Sequence, residues 1–470
     1  MAATISTLNA ILKDFYLAPI QEQLNQEVLV LELMEKAVVD WAGRRVVIPL
    51  HTSRNTTGVG FRADGSALPT AGSEGYVRAE VEAKFLYGRF EITGPAISSL
   101  AKGGTASFAG YVQAEMDKLV EDVRNQSNRA AFSGGGGVVG SSPIIFLNEK
   151  AAKAAGATWE ATGDVQKLSA LFAAAVVANG GGAPVLIANV HTTFAGDFGS
   201  AVGGYENIST TFEIASVNVS TSSIVAGAAA TGALDTTKSI TVNPLPAGFA
   251  AAVVITGALK ASGGAALTVP EIAALANEPV GIFGNLGSQT HFTLARQFAA
   301  PATDNNPILR STIITNNDAL TQTRTALTLG NIQKVFDNVM LVSGVEPDYI
   351  IMNPTQRQRY VALLQGQVAG AGLMSDAGKT SKVADGGYVG LSYGNVPIKV
   401  SKDAPKGGLC FLKLDTWKLC ELEKGDFADL DGSVISRVPN LDSYEGYYRF
   451  YYNHISVRPN ANAMLVGCSL

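Results

Sequence analysis

The sequence predicts an α+β chain in which a long hairpin feeds one long helix, and three observations carry that expectation. Apolar and charged residues alternate over 76–93. Apolar residues then recur at spacings of three and four over 105–132. A stretch rich in Ser, Thr, Val and Gly, with strand-like runs, follows over 138–276.

The first 43 residues carry two short apolar helical stripes, Leu8, Ile11, Leu12 and Phe15, then Ile20, Leu24, Val28 and Leu31, with Pro19 between them. Two long strands are expected next, over 44–63 and 76–93, joined by a polar tip rich in Gly and Pro. In the second strand Val77, Ala79, Val81, Ala83 and Phe85 share one face, and Arg78, Glu80, Glu82 and Lys84 share the other. The phase then changes, and Leu86, Phe90 and Ile92 become the apolar set. This reads as a strand passing from a projecting arm into a buried sheet. An arm of about 15 residues at ~3.3 Å each projects on the order of 50 Å. A lone two-stranded ribbon is marginal in water, so its tip needs a surface to lie on, and a neighbouring copy of the chain is the simplest source. The hairpin residues expected at that contact are Arg54, Arg62, Leu68, Pro69, Arg78, Glu80, Glu82 and Lys84.

Gly94 and Pro95 stop the strand, and Thr105 or Ser107 can cap the helix that follows. Phe108, Val112, Met116, Leu119 and Val123 form its core stripe, while Asp117, Lys118, Glu121, Asp122 and Arg124 crowd the opposite side. The glycines 134–137 end it. About 25 residues at 1.5 Å each make a rod near 38 Å.

The 138–276 segment reads as an inserted, mostly β domain, with an apolar helix over 165–178 and strand-like runs over 212–219 and 239–243. It is too apolar and β-branched for a disordered linker. An amphipathic helix is expected over 327–342, a buried strand over 349–352, a second helix over 355–364 and a hairpin over 388–400. Strands then fill 408–422 and 444–457, the latter holding the aromatic run Tyr447, Tyr448, Phe450, Tyr451 and Tyr452.

Composition bounds the function. The 470 residues suffice for two or three domains. Only 16% are charged and 50 are glycine, which implies that partners cover much of the surface. A formal charge of −5 argues against a chain that neutralises phosphates. The cysteines Cys410, Cys420 and Cys468 lack metal-knuckle spacing and are odd in number, which suits a reducing cytosol. The N-terminus lacks signal-peptide character, and the apolar run 245–259 is too short and too interrupted for a membrane span.

Enzymatic motifs fail on context. The run Gly58-Val59-Gly60-Phe61-Arg62-Ala63 imitates a dinucleotide fingerprint, but no helix is expected after it. Gly378-Lys379-Thr380 imitates a phosphate loop, but Leu373 stands where the first glycine belongs. His51, His191, His291 and His454 are scattered without ligand spacing. No catalytic residue, metal site or cofactor is expected.

Three stretches of wording go with the order of parts: Leu-His-Thr at 50–52, Ala-Leu-Pro-Thr-Ala-Gly at 67–72, and Tyr-Gly-Arg-Phe-Glu-Ile-Thr-Gly-Pro at 87–95. On these residues and that order, the chain resembles the major capsid proteins of tailed double-stranded-DNA bacteriophages, the Hong Kong 97-like fold. The resemblance is specific over 8–132, fair over 277–470 and absent between. It implies an N-terminal arm (1–43), an extended E-loop hairpin (44–93), a spine helix in the peripheral domain (94–137), the insertion (138–276), an axial domain (277–428) and return strands to both domains (429–470). It further implies self-assembly as hexamers and pentamers into an icosahedral shell enclosing double-stranded DNA without sequence-specific binding, assembled in the host cytoplasm and located in the virion. A separate scaffold protein, a portal and a decoration protein are the implied partners; no membrane is. Some members cross-link the hairpin through lysine, but none lies between His51 and Ala83, so no such bond is expected. The rival readings are an encapsulin-like bacterial compartment of the same fold and, in another class, a surface-layer or adhesin-type β protein.

Overall fold

A computed structural model describes residues 38–41, 43–64, 66–95, 105–132, 145–147, 158–163, 165–178, 185–187, 190–194, 206–208, 212–226, 251–255, 259–260, 277–286, 291–292, 294, 309, 311–316, 325–371, 391–429 and 434–470. The helical stripes expected in the first 37 residues, the run 239–243 and the loop at Gly378 lie outside them.

The chain opens with β1 (Val38–Asp40), β2 (Val46–Ser53), β3 (Gly75–Val81), β4 (Lys84–Thr93) and the long helix α1 (Thr105–Ala130). Nine strands follow: β5 (Ile145–Leu147), β6 (Thr158–Gly163), β7 (Val185–Ile187), β8 (Val190–Phe194), β9 (Glu206–Ile208), β10 (Phe212–Asn218), β11 (Ser223–Ala226), β12 (Ala251–Ile255) and β13 (Leu259–Lys260). Helix α2 (Val165–Ala178) packs against β7, β10 and β13 of the sheet they build, whose order is β13-β7-β10-β11-β6-β5-β12-β8-β9.

The remainder comprises α3 (Ile282–Leu286), β14 (Thr312–Thr315), α4 (Leu329–Ser343), β15 (Tyr349–Met352), α5 (Pro354–Ala371), β16 (Ser392–Tyr393), β17 (Val396–Val400), β18 (Gly408–Leu412), β19 (Trp417–Phe427), β20 (Ser436–Arg437), β21 (Ser443–Ser456) and β22 (Ala463–Val466). Six of these strands form a sheet in the order β14-β22-β18-β15-β17-β16. Its inner strands β18 and β22 are buried along their whole length, which explains their unbroken apolar wording. Ile332, Val335, Phe336 and Val339 of α4 pack on it with Tyr360 of α5. Thr328 caps α4, accepting a hydrogen bond from Asn331 N–H, and Gly344 closes it in the left-handed region (φ 72°). Gly394 and Asn395, both at positive φ, turn β16 into β17.

The fourteen-residue strand β21 organises a second sheet. It pairs antiparallel with β19, β20 and β4, and β1 runs parallel to β19. Tyr448, Phe450 and Tyr452 form a small core with Leu86 and Leu419. Gly88 lies under α1, where an added Cβ would come within 2.9 Å of both Leu119 and Val123. That absence of a side chain lets helix and sheet close.

The hairpin departs from its expected form. Ladder pairing with β3 stops at Ser53, because the run from Arg54 to Gly60 has two glycines and no alternation to present to a partner. The ribbon therefore has eight residues in its first strand, about 26 Å at ~3.3 Å each, roughly half the expected reach. The second strand is not continuous but breaks at Glu82 and Ala83, where β3, paired to β2, hands over to β4, paired to β21. Ala79 and Val81 are buried before the break, and Ile92 is buried after it. Phe85, expected on the apolar face, instead stands 53% exposed on the far side.

Two chain crossings join the six-stranded sheet to the β21 sheet, one between β18 and β19 and one between β21 and β22. Asn462, fully buried, ties them together. Its Oδ1 accepts from Lys413 N–H (2.8 Å) and Trp417 Nε1–H (2.9 Å), while its Nδ2 donates to Thr416 Oγ1 (3.0 Å) and Arg458 O (3.1 Å). Asp348 reinforces the joint, accepting from Lys413 Nζ at 2.7 Å and Leu414 N–H at 3.0 Å. His454, in the middle of the β21 sheet, is also fully buried, and among the described residues neither ring nitrogen meets a hydrogen-bonding partner. Burial pushes its pKa down to about 4, so the ring is neutral in the fold.

Two predictions follow from this core. Asn462→Ala strands the Lys413 and Trp417 donors, at ~1–3 kcal/mol for each buried unsatisfied group. The urea midpoint should fall by the equivalent of about 2–6 kcal/mol, and an unchanged midpoint would contradict the role given to Asn462. His454 binds a proton near pH 6.5 when unfolded but only near 4 when folded, so its contribution is lost as pH falls through that window. Between pH 7 and 5 it should remove about 2 kcal/mol, at ~1.4 kcal/mol per unit below 6.5. His454→Leu should therefore lose about that much less stability over the same interval; equal acid sensitivity would refute the assignment.

Candidate assembly surface

Val46, Leu50, Ala79 and Val81 seat the inner face of the ribbon on Val280, Phe292, Leu309, Cys420 and Ile455. Charge ties the outer face. Arg45 bridges Glu80 and Glu82, both at 2.6 Å, and these carboxylates hold its guanidinium above its ordinary pKa. Farther out, His51 Nε2 meets Glu74 Oε2 at 2.5 Å, and that hydrogen bond lowers the Glu74 pKa. Val47 of β2 is half exposed.

Past Ser53 and Gly75 the chain continues as an irregular tip. Three large apolar side chains stand in solvent there: Val59 at 78%, Leu68 at 87% and Phe61 at 108% exposure. Tyr76 is exposed at the base of the tip. Three large apolar side chains in solvent within one hairpin tip make it a candidate interaction surface.

A second apolar surface lies on the side of the β21 sheet opposite Leu86 and Ile92. Phe85 and Tyr87 of β4 flank Tyr451 of β21, with edge-on ring contacts at 5.0 and 5.5 Å. Tyr451 Oη donates to Tyr87 Oη at 3.0 Å. Burial, then this bond, raises the Tyr451 pKa to about 12. Ion pairs border the aromatic group: Arg449 with Glu423 at 2.7 Å, and Arg89 with Glu91 at 3.1 Å and Glu445 at 2.6 Å. A cleft of about 290 Å³ runs beside Lys84–Tyr87, walled by Gln126, Ala130, Glu278 and Tyr452. Burial lowers the Lys84 pKa there, and Glu278 pairs with Arg129, so the cleft holds structural charges.

The residues expected at the hairpin contact fall in three places. Arg54, Arg62 and Leu68 are exposed on the tip and Pro69 is half-buried there; Arg78 is exposed on the ribbon, and Glu80 and Glu82 are its ion-paired wall; Lys84 belongs to the body. On the helix, Val123 is buried and Met116 and Leu119 are half-buried. The side chains of Phe108 and Val112 lie outside the described residues. The reading missed Val59, Phe61, Phe85 and Tyr87. Phe61 follows two glycines and carries no period, and Phe85 sits at the phase change, where the alternation before it assigns it to the apolar face.

The other motifs resolve plainly. The described residues of 54–74 contain no helix, so the glycines at 58 and 60 open no phosphate-binding turn. All three cysteines are buried and in no disulfide, and burial pushes Cys410 and Cys420 up to about 12, leaving no reactive thiolate there. His291 is buried against Ser456 O at 2.9 Å. Among the described residues no His, Cys, Asp and Glu cluster could hold a metal, and no helix is long and apolar enough to cross a membrane.

The sequence matches no protein-family model and no curated protein. Solved structures do match. A chain of the cyanophage A-1(L) capsid asymmetric unit aligns over 100% of both chains, with a TM-score of 0.54 and 10% identity. A capsid chain of a native GTA particle aligns over 100% of this chain and 99% of its own, at 0.47 and 8%. A chain from Mycobacterium phage Bobi aligns over 99% of each, at 0.41 and 8%. At such identities the likeness is one of fold, and the cyanophage match carries it: the chain has the fold of a phage capsid protein.

Proposed function

We propose that the chain is the major capsid protein of a tailed phage, assembling as hexamers and pentamers into an icosahedral shell around double-stranded DNA. The observation that carries this reading is the apolar tip, where Val59, Phe61 and Leu68 stand exposed to solvent on a chain of capsid fold. In this reading β2, β3 and the tip are the E-loop, α1 is the spine helix, the β21 sheet belongs to the peripheral domain and the six-stranded sheet to the axial domain.

The mechanism is association. The tip of one copy covers apolar surface on the next, for which Phe85, Tyr87 and Tyr451 offer matching chemistry. A tip-to-face contact joins unlike surfaces, so repetition closes into a ring when the rotation allows. Burying three such side chains yields roughly 2 kcal/mol each, offset by the freedom lost on association. Symmetry then multiplies a small surplus around each ring. A net charge of −5 leaves the DNA to be enclosed rather than gripped. A scaffold protein, a portal and a decoration protein complete the expected partners.

Replacing residues 55–74 by a two-residue Asn-Gly turn tests this reading. The body should keep its melting temperature, because the tip contributes to none of the cores formed by the described residues, while closed particles disappear. Normal particles from that variant would overturn it.

A further inference from the structure

We infer that Asn55 pre-forms the tip before it meets another copy, acting as the positioning residue of the assembly contact; this rests on the shell reading above. Strand pairing ends at Ser53 and Gly75, and beyond them hydrogen bonds of side chains cross-link the tip. Asn55 supplies the cross-tie. Its Nδ2 donates to Gly72 O at 2.9 Å, and its Oδ1 accepts from Gly58 N–H at 2.7 Å. One side chain thus joins both limbs of the tip, across seventeen positions of sequence. Farther out, Ser66 closes a turn on Ala63 O through its N–H (3.1 Å) and hydroxyl (2.8 Å).

The glycines show how closely this tie is packed. A Cβ at Gly58 would fall 2.5 Å from Asn55 Nδ2, and one at Gly72 would overlap the Asn55 amide and the Thr57 hydroxyl. Both limbs therefore approach the amide along backbone bare of side chains. An amide is the group the site requires, because it donates to one limb and accepts from the other; a carboxylate only accepts. Ordering a loose loop on contact would oppose association through lost conformational freedom. With Asn55 in place, Val59, Phe61 and Leu68 arrive already arranged.

Limited trypsin digestion of the unassembled subunit, paired with the threshold concentration for particle formation, tests the inference. Trypsin reports on the tip through Arg54 and Arg62, both exposed. In Asn55→Ala, cleavage there should accelerate and the threshold should rise about ten-fold, the factor corresponding to about 1.4 kcal/mol. The melting temperature should not move. Gly72→Ala should do the same by displacing the amide, and Asn55→Asp should not rescue. Unchanged cleavage, or faster cleavage with an unchanged threshold, would overturn the role of Asn55. If the wild-type chain forms no particle under any condition, the shell reading fails instead, and the digestion comparison alone decides whether Asn55 holds the tip.

Discussion

The change of face at Glu82 and Ala83 governs everything that leaves the body. On one side of it Ala79 and Val81 point into the core beneath the ribbon; on the other, Leu86 and Ile92 point into the sheet. A strand shows opposite faces at successive residues, so a one-residue slip in phase exchanges inside for outside. The slip takes the ribbon out of the sheet's hydrogen-bonded ladder and turns Phe85 and Tyr87 outward. One local event thus creates both exposed apolar surfaces, the distal tip and the aromatic group on the sheet.

Buried polar contacts brace the body. Its two sheets are not simply tethered. Both connections pass the same buried Asn462, whose amide bonds to each, and Asp348 anchors the turn beside it. Buried polar groups with every partner in place fix geometry rather than merely add stability. His454 is the opposite case, a polar ring kept neutral by burial alone and compensated by packing against Tyr452. The close approach of α1 at Gly88 completes the frame, since any side chain there would wedge Leu119 and Val123 off the sheet.

Much of this was legible in the sequence, for physical reasons. α1 was expected over 105–132 and spans Thr105–Ala130; α2 was expected over 165–178 and has those bounds. Both are long, periodic and flanked by breakers. β15 was readable because four apolar residues follow a turn. The ribbon's extent was not, because pairing depends on what faces each residue, and 54–63 has no partner to face. The tip's shape was hidden for a related reason: Asn55 reaches Gly72 across a separation that no local pattern records. The Asn462 joint was equally silent, since buried amides leave no periodic mark. At the candidate surface, the exposure of Arg54, Arg62 and Leu68 follows from their place at a hairpin end, whereas Phe61 carries no local signal.

The most direct measurement is electron microscopy with sedimentation velocity on the chain purified after co-production with the genes that flank its own. The account predicts closed shells tens of nanometres across, resolved into five- and six-membered rings with each ribbon tip seated on the next copy. A monodisperse monomer at every concentration and salt, with those partners present, would contradict it.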